Sequence, residues 1–212
     1  YAEHSEVFLR DQIVPTEFRK SFVSFEPLGI IASIMPWNFP FWQVMRFAVP
    51  ALTAGNVGIL KHSSVCLGSA IKLSQAFQDA GFPENVFQVV IGDYRIGEAL
   101  VKADIDAVSV TGSLKTGRRV AELASDGLKK FVLELGGSDP FIVLEDADLN
   151  QTAHMATQSR LLNTGQSCIA AKRFIVVKSI AEKFTKLFVE NTEAEVVGDP
   201  LDERVDVVEA DH

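Results

Sequence analysis

The chain has 212 residues, 47% of them apolar, with 28 acidic side chains against 20 basic ones for a formal charge of −8. That balance excludes the basic footprint of a nucleic-acid-binding surface, and the apolar share is ample for the core of one large domain or a domain and a half. No stretch has the apolar length of a membrane span, the N-terminus lacks the charged-then-apolar form of a signal peptide, and the two cysteines, Cys66 and Cys168, have neither metal nor redox spacing. A free thiol suits a reducing compartment, so the chain reads as cytoplasmic, with no metal.

In chain order, residues 1–12 mix charged and apolar positions as a helix does, and Pro15 breaks the pattern. From 20 to 34 the alternation of Phe22, Ser24 and Glu26 against Val23 and Phe25, followed by Gly29-Ile30-Ile31-Ala32-Ser33-Ile34, predicts strand, turn, strand. Residues 41–54 predict a buried helix. The periods then alternate. Strands are expected at 57–60, 86–91, 107–110 and 130–135, and helices at 65–80, 96–102 and 115–125. Such a βαβ series predicts a doubly covered parallel sheet, with nucleotides at the carboxyl ends of its strands. A helix over 149–162, a strand over 173–177 and a helix over 180–191 open a second α/β domain.

Three stretches carry candidate chemistry. In Asn163-Thr164-Gly165-Gln166-Ser167-Cys168 a thiol follows a helix end in small polar company. A lone cysteine is more often packing than nucleophile, but this one reads as a loop tip, and it reacts only if its surroundings supply the thiolate or a base. Leu133-Glu134-Leu135-Gly136-Gly137 sets an acid inside an apolar strand. Burial there is expected to raise the carboxyl pKa toward that of a usable general base. Met35-Pro36-Trp37-Asn38-Phe39-Pro40 presents the Asn38 amide between two prolines, a donor suited to an oxyanion hole.

Two further stretches point to an anionic ligand. The dinucleotide fingerprint Gly-x-Gly-x-x-Gly is absent, which counts against an ordinary dehydrogenase. After the strand ending at Val110 stands Thr111-Gly112-Ser113-Leu114-Lys115-Thr116-Gly117, two glycines at the mouth of a helix, where amides and dipole favour anions. Arg118 and Arg119 follow, so the magnesium-binding hydroxyl of a P-loop is missing. A helix merely capped by Ser113 is the plain alternative. Lys61-His62-Ser63-Ser64 follows directly on the strand over 57–60, with Lys61 read as a strand-end charge and His62 as a loop histidine.

Pro36-Trp37-Asn38-Phe39-Pro40, Glu134-Leu135-Gly136-Gly137 and Gly165-Gln166-Ser167-Cys168, in that order, resemble the aldehyde dehydrogenase superfamily, and within it the succinate-semialdehyde dehydrogenases. The resemblance runs from about Val7 to Asp202. It implies a Rossmann-like cofactor domain over 21–137, preceded over 1–20 by a helix and the start of an oligomerisation hairpin, and followed over 138–212 by the beginning of a catalytic domain. It implies Cys168 as nucleophile, Glu134 as base and Asn38 as oxyanion donor. It places the cofactor against Trp37, Lys61, Ser64, Gly92, Gly97, Thr111, Gly112, Ser113, Leu135 and Gly136.

The family commonly has Lys-Pro-x-Glu where this chain has His62 and Ser64, and a hydroxyl accepts a 2′-phosphate that a carboxylate repels, so NADP is expected, with NAD as the alternative. Arg46, in an otherwise apolar helix, is the expected anchor for a substrate carboxylate; an ion pair with an internal acid is the structural alternative. Family members are much longer, so the chain is read as a fragment of a homodimeric or homotetrameric enzyme acting on a small aldehyde. A non-catalytic cofactor-binding fragment is the competing reading, and a bare Rossmann-like module with an incidental thiol is a third.

Overall fold

The structure, a computed structural model, describes residues 1–208. The chain divides into two compact units, Tyr1–Leu135 and Gly136–His212.

In the first unit the N-terminal helix α1 (Ser5–Leu9) is shorter than the 1–12 expected and buries no residue. The strand expected from 20 shrinks to β2 (Phe22–Val23), paired antiparallel with β1 (Gln12–Ile13). With no face covering them, Ile13, Phe22 and Val23 stay exposed.

Six elements of one pattern follow β3 (Ile30–Met35) and α2 (Trp42–Thr53): β4 (Val57–His62), α3 (Leu67–Asp79), β5 (Phe87–Val90), α4 (Tyr94–Lys102), β6 (Ala107–Thr111) and α5 (Leu114–Asp126), before the strand β7 (Lys130–Glu134) closes the unit. The five long strands form one parallel sheet in the order β5-β4-β3-β6-β7. From β3 the chain winds outward through β4 and β5, then crosses back to lay β6 and β7 on the other side. Each face has its own core. Met35, Val44, Ala48, Leu52, Leu60, Leu73 and Phe77 pack α2 and α3 on one face. Ala32, Leu100, Val101, Val108, Val110, Val120 and Ala124 pack α4 and α5 on the other. Helices on both faces of a parallel sheet are what the alternating periods require, and the reversal beside β3 leaves a crevice at the carboxyl ends of β3 and β6.

The second unit starts with β8 (Asp139–Val143), which the sequence reading missed, paired in parallel with β9 (Ala171–Val176). The crossover between them is α6 (Leu149–Leu161), and α7 (Ala181–Glu193) packs beside it on Val143, Ala153, Ala156 and Phe184. Phe141, Phe174, Phe184 and Phe188 stack through this core with ring centroids 4.8 to 6.4 Å apart. Two residues each of β10 (Val197–Gly198) and β11 (Val207–Val208) pair near the end. No described helix is long and apolar enough to cross a membrane.

Candidate active site

The loop 36–40 leaves the carboxyl end of β3 and carries the half-buried Asn38. Its anchor is His62. The sequence reading ended β4 at Leu60 and left Lys61 and His62 outside it; the strand instead continues two residues, and His62 is 1% exposed. Its Nδ1 accepts the Ser63 N–H at 2.8 Å, so Nε2 carries the proton and donates to the Pro40 carbonyl at 2.9 Å. The Ser63 N–H is shared with the Met35 carbonyl, also at 2.9 Å. Both ends of the Asn38 loop are therefore tied to the end of β4. Beneath it the buried Cys66 thiol faces the Trp37 carbonyl at 3.9 Å, and burial raises its pKa.

Lys61 is no solvated strand-end charge either. It is 8% exposed, and burial lowers its pKa, with the Asp93 carboxylate opposing that shift. Asp93 caps α4 by accepting the Arg95 N–H at 2.9 Å, and Arg95 in turn holds its carboxyl below the usual range. Gly92 stands just ahead of this cap. Gly97 lies buried early in α4, where an added Cβ would touch Ile34 and the stem of Lys61. Close helix–sheet packing accounts for it.

Across β3, Thr111 ends β6 and Gly112 and Ser113 lead into α5, which starts at the carboxyl end of the sheet. The Ser113 hydroxyl accepts the Thr116 N–H at 3.2 Å, so the plain capping role holds, and the remaining first-turn amides stay as an anion site. A buried, incompletely compensated lysine at the end of β4, the exposed Ser64 hydroxyl beyond it and the α5 amides on the far side of the switch point form a donor set that fits a phosphorylated dinucleotide. Trp37 is exposed beside the same strand ends, and Leu135 packs against Gly117 of α5, ahead of the exposed Gly136.

Glu134 ends β7. Its backbone is fixed, because it pairs with Thr111 and its carbonyl accepts the Gly112 N–H at 2.9 Å. Leu133 points into the core under α4 and α5, so strand alternation turns Glu134 to the α2 face. There it lines a cleft of about 390 Å³ with Met35, Gln43, Arg46, Phe47 and Lys130. The buried carboxylate expected from the apolar run is not found. Glu134 keeps 45% of its side-chain surface and pairs with Arg46, itself 44% exposed, at 2.8 Å. Arg46 thus meets an acid, as the structural alternative had it, and that acid is the candidate base.

Cys168 lies in the second unit. After α6 the chain turns through Asn163, Thr164 and Gly165 at φ 53°, 60° and 72°, three successive left-handed residues. A β-branched residue there is strained, and such strain marks functional turns. Ser167 is buried and Cys168 half-buried. Lys172 was not foreseen, since Lys172-Arg173 reads as surface charge at a strand start. Its ammonium donates to the carbonyls of Ser167, Cys168 and Ala170 at 2.9, 3.0 and 3.4 Å, gathering the oxygens of the loop to one side. Gly137 fits against this loop, for a Cβ there would stand 2.9 Å from the Cys168 carbonyl oxygen. Lys172 reaches back over the turn that the Ala170 N–H closes on the Ser167 carbonyl, and no spacing rule announces it. Among the described residues no cluster of His, Cys, Asp or Glu could hold a metal ion.

Comparison with known proteins adds the family context. The model of the aldehyde dehydrogenase family matches residues 1–209. A probable succinate-semialdehyde dehydrogenase of Synechocystis, named for NADP(+), is 51% identical over 94% of this chain and 44% of its own length. A succinate semialdehyde dehydrogenase of Escherichia coli K12, named for NAD(P)+, is 47% identical over 96% of this chain and 44% of its own. The crystal structure of the succinic semialdehyde dehydrogenase of Streptococcus pyogenes with NADP+ superposes with a TM-score of 0.93 at 34% identity, covering 98% of this chain and 46% of that one. The chain spans about half the length of the relatives it matches.

Proposed function

The chain belongs to the aldehyde dehydrogenase family, and from that premise we propose that the whole protein oxidises succinate semialdehyde to succinate, with NADP as hydride acceptor and NAD as the second choice. The observation that carries the substrate is the half-exposed guanidinium of Arg46, set in the same cleft as Glu134. Its planar fork suits a carboxylate, which an uncharged aldehyde lacks. NADP follows from Ser64 standing exposed where a carboxylate would repel the 2′-phosphate, and from Lys61 beside it. The names of the relatives, for NADP(+) and NAD(P)+, support both choices.

The residues then divide the work. The Cys168 thiolate attacks the aldehyde carbon; the C–S bond forms, and the carbonyl electrons move to an oxygen stabilised by the Asn38 amide and the Cys168 N–H. Lys172, by drawing the loop carbonyls to itself, leaves that N–H free to face the oxygen. The nicotinamide, when bound, supplies the hydride acceptor that turns the adduct into a thioester on Cys168. Glu134 takes a proton from water, hydroxide adds to the thioester carbon, and the thiolate leaves. The exposed apolar residues of β1 and β2 support a homodimer or homotetramer, and a free nucleophilic thiol supports a reducing, cytoplasmic setting.

The test compares kcat/KM for succinate semialdehyde with that for pentanal, in the wild type and in Arg46→Ala of the whole protein. The variant should lower kcat/KM for the charged substrate by roughly tenfold or more, the loss of a charge-assisted pair, and spare kcat/KM for pentanal. Equal losses for both leave Arg46 a structural residue and favour glyceraldehyde or another small uncharged aldehyde.

A further inference from the structure

The Arg46–Glu134 pair joins two residues that the proposed chemistry needs apart. A carboxylate with one oxygen 2.8 Å from a guanidinium is held turned toward that N–H, and a general base must aim its carboxylate at a water proton. The pair cannot be dismissed as a rigid strut. Both side chains are half exposed, and solvent-screened pairs of this kind contribute little. Both backbones are fixed, Glu134 by its pairing with Thr111 and Gly112 and Arg46 by α2, whose Val44 and Ala48 are buried in the core. Breaking the pair therefore takes side-chain rotation alone. The wall around it is largely apolar, with Met35, Phe47, Val108 and Phe131, so a second carboxylate entering the cleft finds in Arg46 a fork already presented.

We propose that Arg46 serves two carboxylates in turn: it holds Glu134 paired until the distal carboxylate of the substrate takes the guanidinium and releases Glu134 to act on water. This rests on the substrate reading above and extends it, because the charged end of the substrate becomes the signal that arms the base. The step it controls is thioester hydrolysis. One water proton passes to the freed Glu134, the C–O bond forms at the acyl carbon, and the C–S bond breaks with its electrons on sulfur. The new acid then ionises, its proton and the one on Glu134 pass to solvent, and departure of the dicarboxylate lets Arg46 recapture Glu134. No oxidant enters here, since the hydride has already gone to the nicotinamide. Specificity on this account lies in turnover as well as in binding: an uncharged aldehyde forms its thioester and then waits.

Stopped-flow measurement of NADPH on the whole protein reads this directly. With NADP and pentanal the wild type should show a stoichiometric burst and then a slow phase, while succinate semialdehyde should turn over with a post-burst rate roughly tenfold faster. Free acetate should accelerate the slow pentanal phase, as an untethered competitor for Arg46. In Arg46→Ala the pentanal slow phase should already be fast and acetate should do nothing further, which separates displacement from acetate acting as a base. The acetate effect is measured on the wild type, so the idea stays exposed even if the variant folds poorly. A pentanal reaction without a burst, or one that acetate leaves unchanged, overturns the exchange, as does acetate acceleration that persists in Arg46→Ala. Failure of the substrate reading looks different: succinate semialdehyde then shows no advantage in kcat/KM over pentanal at all.

Discussion

The carboxyl ends of β4 and β7 carry the same kind of sequence, an apolar run closing on a charged residue, and they meet opposite environments. Lys61 and His62 are 8% and 1% exposed, while Glu134 keeps 45% of its side chain in solvent. The cause is strand order. β4 lies between β3 and β5, with α2 and α3 on one face and α4 on the other, so the two residues that follow Leu60 are covered. β7 pairs only with β6 among the described strands, and its α2 face opens into the cleft. Buried polar groups must be paired or they cost stability, so His62, bonded at both ring nitrogens, has become scaffold, while Lys61 beside it is left for the cofactor. An open polar group is free to change partners, so the β7 end is where reactivity can sit.

If that division is right, Glu134→Gln should separate function from fold completely. Global stability should move by no more than about 0.5 kcal/mol, as for exposed substitutions, while steady-state turnover of the whole protein falls by roughly 10²-fold or more. The single burst of NADPH should survive, since hydride transfer precedes the step that needs the base. Loss of the burst, or a fall in the denaturant midpoint, would make β7's end scaffold too.

His62→Leu should do the reverse. The ring ties the Pro40 carbonyl and the Ser63 N–H in a site buried from solvent. Leucine leaves the Pro40 carbonyl without its donor, at about 1–3 kcal/mol, while the Ser63 N–H keeps the Met35 carbonyl. Chemical denaturation should register that loss, and kcat should fall with it because the Asn38 loop is no longer pinned at its Pro40 end. An unchanged denaturant midpoint with lowered kcat would give His62 a direct part in chemistry and break the comparison from the other side.

These two ends also mark what the sequence could and could not disclose. The order of strands and helices followed from periodicity, because each βα unit carries its own stop signals; Gly81 and Pro83 after α3 are an instance. The parallel strand β8 was missed because Asp139-Pro140 reads as a turn, and its partner β9 lies beyond α6. Motif alone singles out Glu134, Asn38 and Cys168 as candidates, yet burial was misjudged at both strand ends. A residue's cover depends on which strands flank its own, and local pattern does not carry strand order. Lys172 escaped for a related reason, since its reach to three carbonyls depends on how the chain turns over 167–170.

The smallest effect is expected one step beyond the scaffolded end. Ser64 follows His62 by two residues but is exposed, as the strand has given way to a short 3-10 turn over Ser64–Cys66. Cover is lost within that distance, so the position should answer to ligand and not to fold. Ser64→Glu would set a carboxylate beside Lys61, where the proposed 2′-phosphate lies, and repulsion there should shift the ratio of kcat/KM from NADP toward NAD by roughly tenfold, the equivalent of about 1.4 kcal/mol. Stability should hold, because the new charge stays in water and has the Lys61 ammonium for company. An unchanged cofactor ratio would put the 2′-phosphate elsewhere, and a loss of stability would extend the scaffold past His62 into the turn. The two outcomes are read in separate assays, so this one substitution locates where along the β4 end structure stops and recognition begins.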